Sequence, residues 1–81
     1  MGRYYFHLRQ GDELIPDEEG TELPDVLAAT REALQSAREL LADAIKAGKP
    51  KVYDAFVIAD EAGQTVEVLT FVAVLPEPLK K

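Results

Sequence analysis

The sequence predicts an α+β fold: a two-layer β-(β)-α-β-β sandwich in which one long amphipathic helix lies on a small, mainly antiparallel sheet. Three observations predict it. Residues 3–9 alternate in polarity, and residues 25–47 repeat apolar side chains at helical spacing. The last third holds two runs rich in β-branched and aromatic residues, separated by a Gly-containing turn.

The first strand is Arg3-Tyr4-Tyr5-Phe6-His7-Leu8-Arg9. Successive side chains of a strand point to opposite faces, so Tyr4, Phe6 and Leu8 share one face and Arg3, Tyr5, His7 and Arg9 the other. Gln10-Gly11-Asp12-Glu13 reads as a turn. Residues 12–23 read as an irregular hairpin arm with one short edge strand, because Pro16 cannot donate to a ladder and Pro24 closes the segment.

The helix has the clearest ends. Asp25 suits the N-cap, and Gly48 suits the left-handed stop with Pro50 beyond it. Val26, Ala29, Thr30, Ala33, Leu34, Ala37, Leu40, Leu41 and Ala44 fall within one arc, with Arg31, Glu32, Gln35, Glu39, Asp43 and Lys46 opposite. Alanine dominates the middle of the stripe, which lets the helix sit close to the sheet. The closing hairpin reads as Val52–Ala59 and Thr65–Val74 around Asp60–Gly63. The expected core is Tyr4, Phe6, Leu8, the helix stripe and one face of each closing strand.

An 81-residue chain is one domain, assigned to residues 1–75, with 76–81 as a flexible tail. It has no cysteine, so neither disulfides nor a zinc–thiolate cluster can staple it. No stretch approaches the roughly 18 apolar residues of a membrane span, and residues 1–13 lack the apolar run of an export signal. A soluble, cytoplasmic protein is the expectation. Net charge is −6, and residues 1–25 concentrate it, setting Arg3 and Arg9 against seven carboxylates. Nucleic acid and anionic membranes need a basic surface, so neither is an expected partner.

Candidate chemistry is sparse. His7 is the only histidine, flanked at spacing two by Tyr5 and Arg9. One reading makes Arg3, Tyr5, His7 and Arg9 an anion-binding strip or a minimal enzyme's polar face. The plainer reading pairs that face with the acidic arm. The arm's Asp12, Glu13, Asp17, Glu18, Glu19 and Glu22 suggest either a solvated loop or a surface for a basic partner. An EF-hand is excluded, since placing Gly20 at the loop's sixth position puts Ile15 where its first Asp belongs. The only serine, Ser36, lies on the helix outside any Gly-x-Ser-x-Gly motif. No catalytic, metal or cofactor-binding residues are assigned.

One irregularity stands out. A sheet covered on one face alternates apolar and polar residues. Ala55–Ile58 and Val66–Leu75 are instead apolar on both sides. Either part of 71–75 leaves the strand, or another chain covers the second face. The second branch makes Phe56, Ile58, Leu69, Phe71 and Leu75 a candidate association surface and the protein a self-associating interaction or regulatory module, a homodimer in its simplest form.

The Tyr5-Phe6-His7 strand, the Gly11-Asp12 turn, the Asp17-Glu18-Glu19-Gly20 stretch and the long Ala/Leu/Glu helix resemble a small proteobacterial family of uncharacterised domains. The resemblance spans residues 3–71 and implies an architecture without an assigned activity or catalytic residues. This chain departs from that pattern at Thr70–Leu75, where a more polar segment is expected. A looser likeness, of layout only, is to the small domain of Hic-type antitoxins, which implies an inhibitor of a basic toxin. The DNA-binding segment usual in such antitoxins would have to follow Leu75.

Overall fold

The computed structural model describes residues 2–48 and 53–74. Five strands, β1 (Gly2–Gln10), β2 (Glu13–Ile15), β3 (Thr21–Leu23), β4 (Ala55–Ala59) and β5 (Thr65–Thr70), form one sheet, with helix α1 (Val26–Ala47) between β3 and β4. The sheet order is β2-β1-β4-β5, with β3 also pairing β1, and every pairing is antiparallel. This is the α+β arrangement expected, with both halves of the arm forming a short strand rather than one.

The helix forms as its sequence dictates. The Asp25 carboxylate accepts from the Ala28 N–H at 2.8 Å, and Gly48 takes the left-handed conformation (φ 68°) that a helix stop requires. Ala29, Ala33, Ala37, Leu41 and Ala44 are its buried residues. Thr30, on the margin of the stripe, turns its hydroxyl back to the Val26 carbonyl. Val26, at the start of the stripe, is 38% exposed.

The core lies between that alanine stripe and the sheet. Tyr4, Phe6 and Leu8 pack against Phe56, Ile58 and the helix, so β1 turns the expected face inward. On β5, Val66 and Leu69 both reach this core although their spacing puts them on opposite faces of a regular strand. The register explains it. Ala59 pairs with Thr65 but Ile58 with Glu67, so Val66 is an extra residue in a β-bulge.

The closing strand is shorter than its composition suggests. The Phe71 N–H donates to the Asp54 carbonyl at 2.9 Å, and then residues 71–74 wind into a 3-10 turn. The turn drops Phe71 into the core, 2% exposed, 5.4 Å from the Phe56 ring centroid and 6.4 Å from that of Tyr53. Val72 is thereby left outside. Burying one aromatic ring stabilises more than extending a two-residue ladder. The expected β4 residue Val52, the association residue Leu75 and the tail 76–81 lie outside the described residues.

Candidate functional site

Two polar features meet on β1: its outward side chains and the arm that runs along its edge. Gly11 (φ 61°) makes the tight turn between β1 and β2, and its N–H donates to the Asp54 carboxylate at 2.6 Å. Leu8 pairs with Ile15, and Tyr4 pairs with Thr21. Three residues of β1 therefore face five of the arm, Pro16–Gly20. The ladder cannot continue across that mismatch, and the arm bows outward.

Asp17 closes the gap. Its Oδ2 accepts from the Phe6 N–H at 3.1 Å, replacing the missing ladder bond. Its Oδ1 accepts from the N–H groups of Glu19 (3.1 Å) and Gly20 (3.3 Å), holding the loop's own shape. Partial desolvation pushes the Asp17 carboxyl up. The backbone donors Phe6, Gly20 and Glu19 and the nearby His7 outweigh it, so the group lies below the ordinary carboxylate value. The Asp17 N–H in turn donates to His7 Nδ1 at 2.9 Å.

The other members of the expected strip join this clamp or lie beside it. Arg3 Nη1 donates to the Glu19 carbonyl at 2.8 Å, and its Nη2 stands 3.8 Å from Glu22. The Tyr5 and His7 rings stack, with centroids 6.3 Å apart and planes 14° apart. Gly20 (φ 71°) lies so close beneath Arg3 and Tyr5 that a Cβ there would stand 2.8 Å from Arg3 Cγ and 2.9 Å from Tyr5 Cε2. Arg9 is exposed at the far end and makes no ion pair among the described residues. His7, Arg3 and Tyr5 are thus engaged by their own chain, and Arg9 stands apart from them.

The acidic residues do not converge. Asp12, Glu13, Glu18, Glu19 and Glu22 are exposed along the arm, and Asp17 points back to the backbone. Among the described residues no three His, Asp or Glu side chains are placed to share a metal ion. No described helix is long and apolar enough to cross a membrane.

Of the candidate association residues, Phe56, Ile58 and Phe71 are buried in this chain's own core and Leu69 packs against it. They are not a free surface, which corrects the expectation from the apolar pattern. The bulge brings Val66 onto the core face with Leu69, and the 3-10 turn takes Phe71–Val74 out of the strand, so Val66, Leu69, Phe71 and Val74 share one core. The helix leaves the other side of the sheet uncovered, although Ala55 and Ala59 there are buried, 0% and 4% exposed. There the row His7–Val57–Val68 crosses three strands, flanked by the rows Arg9–Ala55–Thr70 and Tyr5–Ala59–Thr65. Val57 is half-buried and Val68 is 41% exposed. Period-two spacing from Phe56 and Ile58 places Val57 on this side, and neither valine stood out in a sequence that was apolar everywhere around it.

Residues 3–72 match the family model described as "Domain of unknown function (DUF6894)". The chain belongs to this family. The match covers β1 through the start of the 3-10 turn, so the arm, the Asp17 clamp and the helix-free face all lie within the DUF6894 domain. No curated protein matches the chain, and no solved structure does.

Proposed function

We propose that this DUF6894 domain is a non-enzymatic protein-interaction module that self-associates through the helix-free face of its sheet. One observation carries the reading. α1 packs on a single face, and at the centre of the other Val68 is 41% exposed beside the half-buried Val57. The polar cluster beside it supports a structural role over a catalytic one. The Asp17 oxygens and His7 Nδ1 are taken by backbone N–H groups, and a general base needs a free acceptor aimed at a substrate. The same engagement argues against the anion-binding strip, since the Arg3 guanidinium is committed to Glu19 and Glu22.

Three short strands offer a footprint at the low end of stable interfaces, so a dimer in the micromolar range is expected. Sedimentation equilibrium tests it. The wild type should sediment as a dimer, and Val68→Lys as a monomer with an unchanged far-UV spectrum. A wild type that stays monomeric to about 100 μM overturns the reading.

A second reading is an antitoxin-like inhibitor that meets a basic toxin. The exposure of Asp12, Glu13 and Glu18 along the arm favours it. Binding a basic toxin through carboxylates would weaken steeply with added salt, whereas association centred on valines, between two chains of like net charge, would lose far less.

A further inference from the structure

Resting on that self-association, we infer that the second copy docks about a twofold axis lying between the two helix-free faces, along the row His7–Val57–Val68, so that Arg9 of each copy meets the Glu18–Glu19 loop of the other. The register carries the geometry. His7, Val57 and Val68 stand side by side on β1, β4 and β5. An axis along that row sets each of them on its own counterpart and reverses the strand direction between the sheets. Valine then meets valine at the centre. The row Arg9–Ala55–Thr70 falls on the partner's row Tyr5–Ala59–Thr65. Ala55 and Ala59 are buried, 0% and 4% exposed, so the valines make the contact, with threonine falling on threonine along β5.

Charge selects this axis. The two ends of β1 differ in sign on the helix-free side. Arg9 is exposed, with no ion pair among the described residues. Near the other end, the Asp17–Gly20 loop lies against Arg3 and Tyr5 and exposes the Glu18 and Glu19 side chains. Reversal about His7 carries Arg9 to the position over Tyr5, beside those two carboxylates. A guanidinium there gains both the ion pairs and the face of the Tyr5 ring. A twofold axis parallel to the strands would instead lay β1 over β5, where Arg9 meets only threonines and valines. Two copies of a chain of net charge −6 repel overall, and the Arg9–loop contacts, made twice, offset that repulsion where the surfaces touch.

Sedimentation equilibrium of charge-reversed chains tests the arrangement. Arg9→Glu alone, and Glu18→Arg with Glu19→Arg alone, should each weaken the homodimer at least about tenfold. The Glu18 and Glu19 changes leave the loop's backbone bonds in place, so folding is checked by far-UV spectrum alone. Mixed in equal amounts, the two variants should form a heterodimer near wild-type affinity, because both Arg–Glu contacts are then restored with their signs exchanged. A homodimer indifferent to Arg9→Glu, or a mixture that fails to recover, overturns the inference. If Val68→Lys breaks the dimer while Arg9→Glu does not, the face is right and the axis wrong. A monomeric wild type removes both.

Discussion

Removing the Asp17 carboxylate is the sharpest perturbation of the monomer. Asp17→Ala deletes three acceptor contacts at once: to the Phe6 N–H across the ladder gap and to the Glu19 and Gly20 N–H groups within the loop. The Phe6 N–H is half-buried, and an orphaned backbone donor of that kind costs about 1–3 kcal/mol. The two loop contacts are more exposed and contribute about 0.5 kcal/mol each. The expected loss is therefore about 2–4 kcal/mol, a large share of what so small a domain holds. Urea unfolding followed by far-UV circular dichroism measures it, at one fixed protein concentration because dimerisation adds to apparent stability. With an m-value near 1 kcal/mol/M, the midpoint should fall by roughly 2–4 M. Asp17→Asn keeps one oxygen and sets an amide N–H against a backbone donor, so its midpoint should lie between alanine and wild type. An alanine variant within about 0.5 kcal/mol of wild type refutes the clamp.

The same carboxylate sets a pH dependence. Its folded value is depressed, so its stabilisation is complete above the unfolded value of about 3.9 and is lost as pH falls through the lower folded value. Wild type should lose stability over that acidic window more steeply than Asp17→Asn, in parallel urea titrations. Phe71→Ala should cost about 3–5 kcal/mol by thermal or urea melt, while Val72→Ala, at a position 64% exposed, should stay within about 0.5. Ala33→Leu forces bulk between helix and sheet where the side chain is 1% exposed and should cost about 1–3 kcal/mol in the same assay. Gly20→Ala should destabilise more than Gly48→Ala. Both have positive φ, but a Cβ at Gly48 would meet nothing within 4 Å among the described residues, while one at Gly20 would meet the Tyr5 ring.

The parts legible in the sequence are those set by local physics. Asp25, Gly48 and the alanine stripe announce α1 because capping and helical periodicity need only nearby residues. Tyr4, Phe6 and Leu8 announce the buried face of β1 for the same reason. The fate of Val66–Val74 was not local. Whether Val66 and Leu69 share a face depends on a bulge opposite Ile58, and whether Phe71 continues a strand depends on the space beneath α1. Both are decided by packing, so the run read as apolar on both sides of one strand. Asp17 was hidden among its neighbours. In sequence it is one carboxylate of an acidic run. Only the mismatch between the Leu8–Ile15 and Tyr4–Thr21 pairings shows that a ladder bond is missing and that this carboxylate supplies it. The Asp-x-x-Gly spacing to Gly20 is the signal that could have marked it, since a carboxylate three residues before a left-handed glycine often closes a turn. Alternation groups Arg9 with Arg3, yet the arm reaches only the Arg3 side chain.

In the proposed dimer two helix-free sheet faces meet. Intermolecular nuclear Overhauser effects report that contact most directly, in a sample mixing isotope-labelled and unlabelled chains. The expected result is a set of methyl contacts between Val57 and Val68 of one copy and the same residues of its partner. Contacts confined to the exposed helix residues Leu27 and Ile45, which are 59% and 69% exposed, would contradict it.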